Sequence, residues 1–404
     1  MKKLLIIFIF LILVALGAWI FLRDTSTPIV ETIKNGLPFG SGEDINIPAV
    51  TNNPQPTTNN SGMGTNISSD TKILQLSNTP VAGFVSFPRG TTTIVRFVDR
   101  ATGHIFDITL PKAGVETSLE KVRVTNTTLP KIYEAHFRSD GSTVLIRSLL
   151  ANSDVVENTT LALTPPKAAS STDLYSIAAT KLRGDMDSVV VGVANSLSYV
   201  TKNNSSIVSS TFTGTETKTL FSSSFNNWRL FKLGTGTGLY TKASGNVPGY
   251  VYSLSGGTLT KLVGPLNGLT AIGNSNGTKI LYSYLDGTTK LFIKDLKKNT
   301  SAEILPASLA EKCVWSIKNE GVFFCGTPLV ASTSKEPDGW YLGRTHFSDY
   351  FWKFDTSSEI SQLIAEPKAE FDLDLDAFEL KLTPAEDYLI FMNKRDLSLW
   401  AVKL

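Results

Sequence analysis

From residue 72 to residue 404 the chain is written in short runs that alternate apolar and polar residues, each run ending in a turn rich in Gly, Asn or Asp. A two-residue period over four to eight positions predicts half-buried β-strands. The clearest unit is residues 270–305. Residues 270–273 predict a strand, Asn274-Ser-Asn-Gly277 a turn, and 279–284 the second strand. Asp286-Gly287 predicts a tight hairpin, because primed turns require positive φ. Residues 291–296 and 302–305 complete four antiparallel strands. The preceding stretch repeats the plan over 228–233, 238–242, 249–254 and 258–263.

Units of about 45 residues recur on this template, within the range of propeller blades. They fall at 81–125, 131–180, 186–223, 228–263, 270–305, 312–364 and 376–404. The last holds only three strands, 376–384, 388–394 and 397–404. Residues 72–77 precede the first unit and have no unit of their own, so they are expected to supply the missing strand. The expected fold is all-β, a seven-bladed β-propeller closed by an N-terminal strand. Units 131–180 and 186–223 are the least regular, and a count of six or eight blades also accommodates them. A β-sandwich fits less well, because the period persists across the whole domain.

Ahead of this domain, Lys2-Lys3 precede an unbroken apolar run, residues 4–22, ended by Arg23-Asp24. As a helix it spans roughly 28 Å, close to the hydrocarbon thickness of a bilayer. The lysines favour an N-terminus held in the cytoplasm, with the rest of the chain outside. A cleaved signal peptide ending near Ala15-Leu16-Gly17 or Ala18 is the competing reading; Trp19 to Leu22 carries the apolar run past such a site. Residues 24–70, with Pro38, Pro48, Pro54 and Pro56 and a polar low-complexity stretch, read as a flexible linker. The expected organisation is thus an anchor over 1–23, a linker over 24–70 and a propeller over 71–404.

Composition adds mainly exclusions. A net charge of +2 gives no basic face for nucleic acid, and three histidines with two cysteines leave most metal sites short of ligands. No Gly-rich phosphate loop follows a strand and opens a helix, so no cofactor is expected. Leu291-Phe-Ile-Lys-Asp-Leu296 and Asp396-Leu-Ser-Leu-Trp-Ala-Val-Lys-Leu404 resemble the repeats of TolB-type and dipeptidyl-peptidase-type propellers. Asp286-Gly287 and Ser139-Asp-Gly141 match the turn that precedes such a strand. The resemblance implies a fold; those families include translocation partners, protease-gating domains and lectins, so it implies no single function.

Cys313 and Cys325 flank the turn 318–321 and fall opposite each other on the expected hairpin, close enough for a disulfide. Outside the cytoplasm a bridge is the expectation; two buried free thiols are the alternative. The most irregular connection is 326–349, where other blades have only a short loop. It carries Asp338, Trp340, Tyr341, Arg344 and His346, and propeller topology brings Glu370, Asp372 and Asp374 of the next connection to the same face. Aromatic surfaces beside carboxylates and an arginine suit a glycan or an extended peptide. Packing of Trp340 and Phe347 over the blade edge is the plainer account. Asp372-Leu-Asp-Leu-Asp376 starts like a calcium loop, but Ala377 and Thr383 stand where that loop needs Gly and Glu. Strand alternation would put its three carboxylates on one side, exposed to solvent or around an unidentified cation. His104, His136 and His346 are scattered, and no nucleophile constellation emerges. The expected protein is a single-pass, membrane-anchored, extracytoplasmic binding or scaffolding module for an envelope protein or glycan. A hydrolase or lyase using acidic residues on the loop face is the rival.

Overall fold

Seven four-stranded antiparallel sheets follow one another along the chain. Six pair in sequence order over 81–123, 132–181, 186–221, 228–267, 270–304 and 313–365. The seventh takes Ala377–Leu382, Tyr388–Asn393 and Leu399–Lys403 from the end of the chain and Ile73–Ser77 from the start of the domain. In this computed structural model the described residues are 66–67, 71–112, 117–150, 153–167, 174–192, 195–330 and 336–404. The two irregular units at 131–180 and 186–223 are complete four-stranded blades, so the count is seven. The expected anchor over 4–22 and nearly all of the linker lie outside the described residues; Asn66–Ile67 pair with Thr117–Ser118. No helix among the described residues is long and apolar enough to cross a membrane.

The closing strand is held in register, with Ile73 opposite Val402, Leu74 opposite Ala401 and Gln75 opposite Trp400. Its side chains serve two junctions at once. Ile73 packs with Phe351, Leu389 and Val402 between the sixth and seventh blades. Leu74 and Leu76 pack with Phe84, Phe97, Ile390 and Leu399 between the seventh and the first. Each of the other five junctions has its own apolar cluster. In a ring of this kind the sheet edges are short and protected, and each blade buries both faces against neighbours.

Close approach of the innermost strands sets local residue choice. A Cβ on Gly83 would sit 1.9 Å from the Ala135 carbonyl oxygen of the next blade, so only glycine fits there. At the turn expected at Asp286-Gly287, Gly287 has φ of +68° and joins Lys279–Asp286 to Thr288–Asp295.

Antiparallel pairing sorts the loops between two faces. The turns between first and second strands open on one face; the connections between blades, and those between second and third strands, open on the other. The long connection of the sixth blade lies on this second face and contains helix α1, Asp338–Tyr341. The following interblade connection contains helix α2, Pro367–Phe371.

Candidate functional site

The long connection of the sixth blade is pinned to the ring by a buried polar cluster. Lys312 ends a 3-10 turn, Ala310–Lys312, just before the first strand of that blade. Its side chain is wholly buried, with Nζ 2.7 Å from Asp349 Oδ2 and 2.5 Å from Asp376 Oδ1. Asp349 opens the third strand of the sixth blade, and Asp376 stands just before the first strand of the seventh. Asp376 also accepts from the Trp340 indole at 3.0 Å and the Phe347 backbone N–H at 3.0 Å. Asp349 Oδ2 accepts from the Ala377 N–H at 2.7 Å, while its Oδ1 has no hydrogen-bond partner. The ammonium lies 5.2 Å from the centre of the Trp340 ring and 5.1 Å from that of Phe347, within cation–π range. Trp340 and Phe347 pack on Leu309 as a small core of their own, 4% and 6% exposed.

One buried lysine pairs with two buried carboxylates, and Lys394, 4.7 Å from the centre of the Trp340 ring, adds a more distant positive charge that acts on Asp376. Burial pushes the Asp349 carboxyl up to about 6, with Lys312 opposing and the charge of Asp376 adding. A second cluster lies beside it, where half-buried Glu311 accepts from the hydroxyls of Tyr240 and of Tyr341, the latter at 2.7 Å. Burial raises the Glu311 carboxyl above the ordinary range, against the pull of those two hydroxyls. Both tyrosine hydroxyls are pushed well up by burial and by the neighbouring Glu311. The far end of the connection reaches the fourth blade, where Asp338 Oδ2 accepts from the Gly245 N–H at 2.7 Å and the Ser244 hydroxyl at 3.2 Å. Glu336 is buried, with one oxygen capping the Trp340 N–H at 2.8 Å and the other unpartnered.

The expected site residues therefore divide. Arg344 and His346 are exposed on the connection, and Glu370, Asp372 and Asp374 are exposed on the neighbouring one. Trp340 is buried and is no free stacking surface, while Tyr341 is half-buried with its hydroxyl held by Glu311. Asp338 is committed to the backbone of the fourth blade. The expectation that Asp372, Asp374 and Asp376 share one solvent face is corrected. Helix α2 ends at Asp372 in the left-handed region, φ of 55°, so strand alternation does not apply there. The three carboxylates diverge, each to its own cation: Asp372 to Lys368 at 2.5 Å, Asp374 to Arg395 at 3.0 Å, and Asp376 to Lys312. Cys313 and Cys325 are opposite each other in register and disulfide-bonded.

Sequence reasoning missed Lys312, Asp349, Glu311 and Glu336. The available signal was position: Glu311-Lys312 and Asp349 each sit directly against an apolar strand, Cys313–Trp315 and the run from Tyr350, where an ordinary surface charge is out of place.

No protein-family model matches the chain, and no curated protein matches it. Similar solved structures include a virginiamycin B lyase from Staphylococcus aureus, 13% identical, with a TM-score of 0.47, covering 82% of this chain and 98% of that one. Another is the β-propeller domain of the Trilobed protease from Pyrococcus furiosus, 10% identical, TM-score 0.48, covering 80% and 95%. TolB from Acinetobacter baumannii is 11% identical, TM-score 0.39, covering 76% and 61%. At these scores the likenesses add nothing to the strand pairing, and the propeller stands on that pairing.

Proposed function

We propose that the protein is a membrane-anchored, extracytoplasmic binding module whose recognition surface is the long connection of the sixth blade, and that its partner is a protein of the cell envelope. The observation that carries this reading is the anchoring of that connection. The part of that connection from 336 to 348, held by Lys312, Asp349, Asp376 and its own small core, presents its outer residues pre-positioned, which lowers the ordering cost of association. Those outer residues are Arg344 and His346 beside Leu342, which is 64% exposed, with Glu370 and Asp374 on the adjoining connection. Charge of both signs around exposed aliphatic surface suits a protein. A glycan is less well served, because Trp340, the largest ring it would stack on, is buried.

The apolar run 4–22 supports the membrane address, and the Cys313–Cys325 bridge supports an oxidising compartment. The hydrolase or lyase reading is less well served: Asp349 and Asp376 have no exposed side-chain surface, and of the exposed carboxylates Asp372 pairs with Lys368, Asp374 with Arg395, and Glu370 accepts from the Glu366 N–H. The test is photo-crosslinking in intact cells from a reactive residue placed at Arg344 or His346, with Glu320 on the opposite face as control. Discrete adducts from 344 and 346 alone are expected. Equal adducts from all three positions, or none from 344 and 346, would discard the assignment.

A further inference from the structure

The mouth of the ring on the opposite face holds a cavity of about 550 Å³ whose lining includes Phe84, Ser86, His136, Val190, Ile317 and Lys381. The volume is that of a small-molecule site. Its wall is apolar for the most part. Val189, Val190 and Val191 all line it, Val189 and Val191 also packing on the core between the second and third blades. Ile317, 68% exposed, stands at the rim.

Glu379 and Lys381 are the charged exceptions in that wall, and Lys381 is the cation. It belongs to the innermost strand of the seventh blade, Ala377–Leu382, at a bulge where register shifts between Phe378 and Lys381 and Glu379 takes φ of 51°. Bulges re-aim side chains, and this one directs a lysine into the ring. Its ammonium donates to the Phe84 carbonyl oxygen at 2.7 Å and lies 4.4 Å from the centre of the Phe84 ring. No ion pair joins it to a carboxylate among the described residues. Burial lowers its pKa, with Glu379 opposing. The imidazole of the cavity, His136, is already engaged: its Nε2 stands 2.9 Å from Glu134, which also binds Arg147 at 2.6 Å. The ammonium makes one hydrogen bond and no ion pair; Glu379, which lines the same cavity and favours its charge, does not reach it, so it keeps N–H donors that a bound carboxylate can use.

We infer that this mouth binds a small amphipathic carboxylate, its carboxylate on Lys381 and its apolar body against Phe84, Val190 and Ile317. A single unpaired cation with no cluster of backbone N–H groups suits one negative charge, not the two of a phosphate monoester. The site lies on the face opposite the long connection and does not depend on the partner proposed for it.

The test is calorimetric titration of the full chain in lipid nanodiscs with 4-phenylbutyrate, with empty nanodiscs as the blank. The expected result is saturable one-site binding, weakened at least tenfold by Lys381→Met and at least tenfold when 4-phenylbutan-1-ol replaces the acid. Val190→Trp, which fills the cavity and leaves the lysine, should also weaken it at least tenfold and keeps the test decisive if Lys381→Met does not fold. Absence of saturable binding overturns the inference. So does a loss below tenfold in a folded variant, or an alcohol that binds as tightly as the acid.

Discussion

Replacing Asp349 by Asn tests the charge balance beneath the long connection. The wild-type carboxyl is shifted by burial from 3.8 to about 6 in the folded protein. A carboxyl with a raised folded value binds its proton more tightly when folded, so the folded state gains stability as pH falls from about 6 towards 4. It loses that stability as pH rises through the same window. A shift of two units corresponds to about 3 kcal/mol in all, of which about 1 kcal/mol separates pH 7.5 from pH 5. Asparagine keeps an oxygen for Lys312 and the Ala377 N–H and places its amide where Oδ1 already has no partner. It therefore resembles the protonated acid at every pH. Urea unfolding at pH 5 and 7.5 should give a wild-type difference about 1 kcal/mol larger, in favour of the lower pH, than that of Asp349→Asn. At pH 7.5 the variant should fall within about 1 kcal/mol of wild type, relief of the buried charge offsetting an unpartnered amide. Equal pH dependence in the two proteins, or a variant at least 2 kcal/mol weaker at pH 7.5, would refute the claim that burial holds the Asp349 carboxyl up at about 6.

Asp376→Ala removes the shared acceptor of Lys312, Trp340 and Phe347, and should destabilise the domain by about 3–5 kcal/mol with the long connection becoming protease-sensitive first. Limited proteolysis with mass spectrometry reads that order, and cleavage elsewhere first would count against the anchoring role. Glu134, whose pKa is lowered to about 2 by His136 and Arg147 against the cost of burial, stabilises the fold above the unfolded carboxylate range; that contribution is lost as pH falls from about 4 towards 2. Glu134→Gln should therefore flatten acid unfolding in that window, and an unchanged acid limb would contradict the pairing. Reduction of Cys313–Cys325, which closes a short loop, should lower stability by about 2–3 kcal/mol, and alkylation after unfolding without reductant should label neither thiol. Gly83→Ala should cost more than about 2 kcal/mol by denaturant titration, because its methyl meets the Ala135 carbonyl; a neutral result would mean that the first two blades are not packed as described.

The fold was legible because its rules are local. A strand is visible in six residues, and a turn such as Asp286-Gly287 announces its own backbone. Even ring closure could be read, since residues 72–77 formed a strand without a blade and the last blade lacked one. The anchoring of the long connection was not legible for the opposite reason. Lys312, Trp340, Asp349 and Asp376 come from four separate segments, and only their convergence in space distinguishes them from surface charges and a loop tryptophan. The misreading of Asp376 shows the cost of extending a local rule too far. Alternation assigned it to the side of Asp372 and Asp374, but a short helix ending in a left-handed residue rotated it into the core. Lys381 was hidden similarly, because a bulge in an otherwise ordinary strand turns it into the ring.

The most direct measurement of the central claim is amide hydrogen exchange of the native full chain, compared between Ile73–Ser77 and Leu399–Lys403. If the first strand completes the seventh blade, the amides of 399–403, which pairs on both sides, exchange slowly, and so do those amides of 73–77 that face it, while the outward-facing amides of this edge strand exchange faster. Exchange of 73–77 at the rate of an unstructured chain, while 399–403 stays protected, would mean that the ring is not closed there.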